Sequence, residues 1–136
     1  MYRNKRGFTL IELMVAISIV AILAVIGYTL LTTAQANARD SRRKQDIDAI
    51  ATALELQFDG PKGTYPAVAV SMFADGKQPV DPVTNLAYTV TPGTAGAVSY
   101  VVCADLEGTT GNFTDAGTTP SPTNAGGFYC RKSQQK

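Results

Sequence analysis

One acidic residue interrupts the long apolar run near the start of the chain. Glu12 lies within a stretch of Leu, Ile, Met, Val and Ala that extends from Phe8 to Leu31. A carboxylate inside a membrane-spanning helix costs roughly 2.5 to 3.5 kcal/mol near the bilayer centre, and less near the interface. If the chain is cut between Gly7 and Phe8, the new α-amino group of Phe8 offers a compensating cation to Glu12 of a neighbouring copy.

Such an ion pair would fix how neighbouring copies align. At about 4 Å and an effective dielectric near 20, it is worth up to about 4 kcal/mol before desolvation. That energy favours one axial register between copies. The alternative is a plain anchor helix whose Glu12 reaches back to the membrane interface, but the Gly7–Phe8 junction favours the first interpretation.

Residues that could support catalysis or metal binding are sparse. The chain has no His and no Trp, and His is the commonest general base and metal ligand near neutral pH. No nucleophile and base pair, phosphate loop or Cys/His cluster is present. Asp105, Glu107 and Asp115 are oxygen ligands suited to Ca²⁺, without diagnostic spacing. We therefore predict no enzyme activity, no cofactor and no metal site.

Two cysteines, Cys103 and Cys130, lie far apart and late in the chain. This arrangement suits one disulfide in an oxidising compartment better than a metal site, the alternative being two reduced thiols. They flank the Gly/Thr/Pro/Asn-rich segment from Glu107 to Gly127, which would be mobile unless fastened. Within it, Asn112-Phe113-Thr114 is a glycosylation sequon, although such strings are frequent in turns.

The apolar run has the length of one membrane span. It contains about 24 residues, and a helix needs about 20 to cross the hydrocarbon core. Arg3, Lys5 and Arg6 precede it, so the positive-inside rule keeps the N-terminus cytoplasmic and sends the rest outward. The cysteines then lie on the oxidising side.

The helix is predicted to continue beyond the span, through residues 32–59. An apolar stripe with spacings of three and four gives it one buried face, and the stripe consists of Ile47, Ile50, Leu54 and Phe58. Asp59-Gly60-Pro61 should end it, with Gly60 in the left-handed cap. The whole helix would be about 50 residues, or roughly 75 Å. Its first half must therefore be buried in lipid or in other copies.

Charged residues crowd the middle of this helix. The basic set Arg39, Arg42, Arg43 and Lys44 is interleaved with Asp40, Asp46 and Asp48. This pattern predicts a solvated, salt-bridged helix with pairs such as Asp40–Lys44 and Arg42–Asp46. Contact with DNA or anionic lipid is the alternative, and a formal net charge of +1 gives no strong case for nucleic acid.

From Gly60 onward the composition is typical of short strands and turns, so the fold class is α+β, a long helix packed on a small antiparallel sheet. The predicted strands are Leu86 to Thr91, Ala97 to Leu106 and Phe128 to Arg131. The second strand should turn one set of side chains toward the helix, namely Val98, Tyr100, Val102, Ala104 and Leu106.

The N-terminal residues resemble a known family. The string from Arg6 to Val15, Arg-Gly-Phe-Thr-Leu-Ile-Glu-Leu-Met-Val, is similar to the class III signal of type IV pilins and type II secretion pseudopilins. The resemblance implies that a prepilin peptidase cuts after Gly7 and methylates Phe8. It also implies that Glu12 recruits subunits and that the apolar segment remains as the filament core, unlike an ordinary signal peptide.

Later segments resemble two different branches of this family. The Cys103 and Cys130 pair with its Phe128-Tyr129-Cys130 ending looks like the disulfide-bounded loop of many type IV pilins. Tyr65-Pro66 and the stretch from Asp81 to Tyr88 are similar to major pseudopilins. Many pilins carry a helix-kinking proline in the apolar segment, whereas this chain has none before Pro61 and Gly27 is its nearest weak point.

These expectations combine into one organisation. Residues 1–7 are a cytoplasmic leader, 8–31 a transmembrane and filament-core helix, 32–59 its amphipathic continuation, and 60–136 an exported domain. The predicted function is a structural subunit of a type IV pilus-like filament, with a type II secretion pseudopilin as the alternative within the class. Its partners would be further copies, prepilin peptidase, an inner-membrane assembly platform and, before assembly, the bilayer. A single-pass anchored binding module is the competing class.

Overall fold

The computed structural model describes residues 7–92, 94–108, 111–113 and 127–135. The basic residues of the predicted leader, Arg3, Lys5 and Arg6, lie outside this part of the chain, as does most of the predicted loop. The fold is α+β, as predicted. Its elements are helix α1 (Leu10–Leu56), a 3-10 helix (Val70–Met72), and strands β1 (Val90–Thr91), β2 (Val101–Asp105) and β3 (Phe128–Lys132).

The chain divides into two compact units, Met1–Gln35 and Ala36–Lys136, and α1 begins in the first and ends in the second. In the first unit, every residue from 7 to 35 is exposed. Among the described residues, α1 is the one helix long and apolar enough to cross a membrane, judged by length and composition. No proline interrupts it, so its backbone hydrogen bonds continue without a break.

The core of the second unit lies between the later turns of α1 and the sheet. Ile47, Ile50 and Leu54 are fully or almost fully buried, and Phe58 packs at the edge of the same cluster. This confirms the apolar stripe. Opposite them lie two tyrosines and a valine that are also among the most buried side chains, Tyr65, Tyr100 and Val102.

The sheet is antiparallel, in the order β1-β2-β3. Val90 pairs with Val102 across the first two strands, and Cys103 pairs with Cys130 across the second and third. Because side chains alternate along a strand, β2 and its flanking residues turn one set toward the helix. The buried members are Tyr100, Val102, Ala104 and Leu106, whereas Val98, predicted to join them, is 71% exposed.

The helix ends earlier than predicted. α1 stops at Leu56, and the backbone N–H groups of Gln57 and Phe58 then bond three residues back, which tightens the last turn. The chain reverses over Asp59 to Thr64, which pair as an isolated bridge. Gly63, not Gly60, adopts the left-handed conformation, with φ of 64°, so the predicted Gly60 cap was wrong.

Two of the strands are shorter than predicted, for local reasons. Leu86 belongs to a turn in which its carbonyl accepts the N–H of Asp81, and Asn85 there has φ of 57°. Ala97 pairs with Tyr65 outside the sheet, next to Gly96 with φ of 86°. These left-handed positions break the extended backbone, so β1 and β2 begin only at Val90 and Val101. β3 extends one residue past the predicted end.

Candidate assembly site and the contacts behind it

Glu12 is hydrogen bonded to the residue that begins α1. The backbone N–H and the hydroxyl of Thr9 donate to its Oε2 at 3.0 and 2.8 Å, and the N–H of Glu12 donates to the Thr9 hydroxyl at 3.3 Å. This reciprocal arrangement is a capping box, which satisfies backbone N–H groups at a helix start. Thr9 was not among the predicted site residues, although Thr-x-x-Glu before an apolar run is the signature of this motif.

The cap holds the carboxylate of Glu12 at the end of the helix where Gly7 and Phe8 lie. All three residues are exposed, and Phe8 is 85% exposed. Both bonds from Thr9 end on Oε2, and Oε1 is the oxygen that a cation from another copy can approach. The site can therefore accept a positive charge without losing the cap.

A second group of charges lies inside the second unit, around Arg43. This guanidinium donates to Asp81 at 2.6 Å, to Asp40 at 3.0 Å and to Glu107 at 3.0 Å. Arg43 and Asp40 are buried, at 6% and 5% exposure. We call Arg39, Asp40, Arg43, Asp81 and Glu107 the ion network. It ties the middle of α1 to two loops.

The loop after β2 is fixed to the helix by this network. The backbone N–H groups of Glu107 and Gly108 each donate to Asp40 at 2.9 Å. A Cβ on Gly108 would lie 3.3 Å from the same carboxylate, so the close approach favours glycine. Arg39 binds both oxygens of Glu107. The hydrogen bond from Arg39 lowers the pKa of Glu107 to about 2, with partial burial opposing the shift and Arg43 adding to it.

Asp81 organises the other loop. Its Oδ1 accepts the N–H groups of Val83 and Thr84 at 2.9 and 2.8 Å, while Oδ2 accepts from Arg43. Burial by itself raises the pKa of Asp81, but the bonds from Arg43 and the two amides outweigh it and lower the pKa. One carboxylate therefore both shapes a turn and binds the helix.

The solvated interpretation of the charged helix segment was wrong for Asp40 and Arg43. Helical spacing places Arg43 four residues before Ile47 and Asp40 three before Arg43, so both continue the buried stripe. That spacing is the signal by which the sequence could have revealed them. Arg42 is exposed as predicted.

Tyrosine hydroxyls bind a series of carboxylates along α1. Tyr88 donates to Asp46 at 3.0 Å and Tyr129 to Asp48 at 3.1 Å. Burial, followed by the bond to Asp46, raises the pKa of Tyr88, so the phenol stays protonated and able to donate. Glu55 accepts from two phenols, Tyr65 and Tyr100. No local sequence pattern indicates these pairs, because they join residues far apart in the chain.

The predicted disulfide between Cys103 and Cys130 is present. It crosses from β2 to β3 and leaves no free cysteine among the described residues. Those same residues contain no group of three His, Cys, Asp or Glu side chains placed to hold a metal ion. Of the weak Ca²⁺ set, Glu107 is bound by two arginines, and Asp115 lies outside the described residues.

Comparison with known proteins decides the family. Residues 2–28 match the family described as the prokaryotic N-terminal methylation motif. The chain is 33% identical to type II secretion system core protein G of Pseudomonas aeruginosa over 136 aligned positions, which cover 85% of this chain and 95% of that protein. The chain belongs to the type IV pilin and pseudopilin family. No solved structure is a significant match to this pilin.

Membership of the family gives the pilin a structural role. It is a pilus or pseudopilus subunit with an N-terminal methylation motif and an apolar helix. The helix and the motif fit a membrane-anchored subunit. The family consists of filament subunits rather than enzymes, and it implies processing by prepilin peptidase and polymerisation with further copies.

Proposed function

We propose that this pilin is cut between Gly7 and Phe8, methylated on Phe8, and polymerised through an ion pair between the Phe8 amine of one copy and Glu12 of another. The observation that carries this proposal is the position of Glu12. It is a carboxylate at the start of α1, where every residue as far as position 35 is exposed, and its cap holds it on the side of the Gly7–Phe8 junction. Nothing within its own described surroundings supplies the cation that would offset its burial in lipid or in a filament.

The proposed topology places the N-terminus in the cytoplasm and the second unit outside. Three leader cations precede the apolar helix, and the positive-inside rule keeps them on the cytoplasmic side. The disulfide between Cys103 and Cys130 supports this orientation, since disulfides persist in oxidising compartments. The apolar helix then crosses the bilayer before it enters the filament core.

Within the family, we favour a secretion pseudopilus over a surface pilus. The similarity to the core protein G named for the type II secretion system extends over nearly the whole of that protein, so it includes the exported unit and not the leader motif alone. The disulfide is the feature that points toward surface pili. An in-frame deletion decides between them: lost secretion of exported proteins without visible surface fibres supports the pseudopilus, and fibres that disappear with intact secretion support the pilus.

Mass spectrometry of the mature N-terminus tests the processing step. The proposal predicts a chain that begins with N-methylated Phe8 and lacks residues 1–7. In a strain without prepilin peptidase, the same chain should keep its leader. An intact leader in the wild-type strain contradicts the proposal and supports the competing class, an anchored binding module that never polymerises.

A further inference from the structure

The side chain of Asn112 occupies the place of an additional strand beside β3. Its Nδ2 donates to the carbonyl oxygen of Cys130 at 2.9 Å, and its Oδ1 accepts the N–H of Cys130 at 2.7 Å. A carboxamide presents a donor and an acceptor side by side, as a peptide group does. Asn112 therefore binds Cys130 in the manner of a strand backbone.

The backbone next to Asn112 extends this pairing. The N–H groups of Asn112 and Phe113 donate to the carbonyl of Phe128 at 2.9 and 3.0 Å, and the N–H of Phe128 donates to the carbonyl of Phe113 at 3.1 Å. The ring of Phe113 is buried. The strand β3 forms one edge of the sheet, and edge strands present unpaired polar groups on their outer side. Residues 112 and 113 thus cover the outer groups of Phe128 and Cys130.

We infer that Asn112 is a structural residue that closes the edge of β3, and that its amide is for this reason not a glycan acceptor in the folded chain. Glycan transfer forms a bond from Nδ2 to the first sugar, with loss of one Nδ2 hydrogen and departure of the lipid pyrophosphate. In the structure, Nδ2 donates a hydrogen bond to the carbonyl oxygen of Cys130. The sequon and the edge closure therefore need the same atom, and the inference stands independently of filament assembly.

Hydrogen exchange of single amides, measured on the full chain in detergent micelles, tests the edge closure. Asn112→Ala removes both bonds to Cys130, so the Cys130 amide should exchange about tenfold faster, the effect of losing one hydrogen bond. Asn112→Asp keeps an oxygen facing that amide and should keep it protected. Since amides alternate along a strand, the Arg131 amide faces β2 and should change by less than about twofold in both variants.

Two exchange results would overturn the edge closure. One is an unchanged Cys130 amide in Asn112→Ala. The other is equal acceleration of the Cys130 and Arg131 amides in both variants, because that would reflect general loosening of the sheet and not loss of a particular bond.

Glycosylation of the purified, oxidised chain tests the second half of the inference. The probe is a single-subunit oligosaccharyltransferase with its lipid-linked oligosaccharide. A matched control introduces a sequon in an exposed turn by the double substitution Asp75→Asn and Lys77→Thr. We expect modification of the introduced sequon, no modification of Asn112, and modification of Asn112 once the chain is reduced and unfolded in advance. Equal modification of both sequons in the folded chain, or no modification of Asn112 after unfolding, would refute the acceptor argument.

Discussion

Arg43 supplies positive charge to three carboxylates, and its contribution to the stability of the fold depends on all three being present. Asp40, Asp81 and Glu107 accept from it, and its side chain is only 8% exposed. Taking such a charge out of water is costly, so the complete network is not by itself evidence of high stability. Removing one member of the network is strongly destabilising, because the remaining charges stay partly buried without a partner of opposite charge.

We predict that Arg43→Met lowers the free energy of unfolding by about 3 to 5 kcal/mol, the usual effect of breaking a buried ion pair. Arg42→Met is the matched control on the neighbouring, exposed residue, and should change stability by less than about 1 kcal/mol. Urea denaturation followed by tyrosine fluorescence measures both. Equal effects of the two substitutions would show that the ion network does not stabilise the fold.

The same network predicts how stability depends on pH. The pKa of Glu107 is lowered to about 2, and the pKa of Asp81 is also lowered. A depressed pKa contributes stability above the unfolded value, near pH 4, and this contribution is lost as pH falls toward 2. Asp46, whose pKa is raised by burial, acts in the opposite direction.

We therefore expect little change in unfolding free energy from these two carboxylates between pH 7 and 5, and a fall between about pH 4 and 2. In Glu107→Gln the fall should be shallower, because one of the titrating groups is gone. Urea titrations at a series of pH values measure it. If the unfolding free energy falls equally steeply below about pH 4 in wild type and in Glu107→Gln, the lowered pKa of Glu107 is contradicted.

Sequence patterns predicted residues of the buried stripe but misjudged charged ones on the same face. The spacing of Ile47, Ile50 and Leu54 was sufficient because apolar side chains at helical intervals have one favourable place. Arg43 satisfies the same spacing, yet its burial depends on Asp81 and Glu107, which are 38 and 64 residues away. No local pattern contains that information.

At the scale of elements, the disulfide and the sheet act on the same segment. Cys103 and Cys130 are separated by 27 positions and are direct partners across β2 and β3. Cross-linking two residues restricts the unfolded chain, more so for a longer loop. The pairing between the two strands places the two cysteines next to each other in the native state, where the disulfide can form.

The double substitution Cys103→Ala and Cys130→Ala should lower the free energy of unfolding by about 3 to 4 kcal/mol on the chain-entropy model. Calorimetry on the full chain measures the loss. Wild type treated with reductant is the control and should fall by a similar amount. A loss below about 1 kcal/mol in both samples would show that the loop is fastened by other contacts.

The elements themselves were predictable where one physical preference dominates. A long apolar run without proline favours a helix, and α1 was predicted within three residues at either end. Strand ends were less predictable because local turns decide them. Asn85 and Gly96 take left-handed backbone conformations, and Ala97 pairs with Tyr65, more than 30 positions earlier. Such contacts become evident only when the chain is folded.

At the scale of the whole molecule, an uncovered apolar helix requires a partner. Every residue from 7 to 35 is exposed in the single chain, and exposed apolar surface of this extent marks a membrane or protein interface. In the proposed function, the bilayer covers it before assembly, and further copies cover it in a filament. We propose that Glu12 gains from the second environment, because another copy brings a cation.

The most direct test is filament assembly in Glu12→Gln. Gln preserves the capping interaction with Thr9 but removes the charge, so helix formation and cap remain while the ion pair is lost. We predict normal membrane levels and leader cleavage, and a loss of filaments of about tenfold or more, since each 1.4 kcal/mol is tenfold in an equilibrium constant. Ser18→Ala, which removes a hydroxyl bonded to its own helix backbone, should assemble normally. Filaments of Glu12→Gln at wild-type abundance would contradict the account.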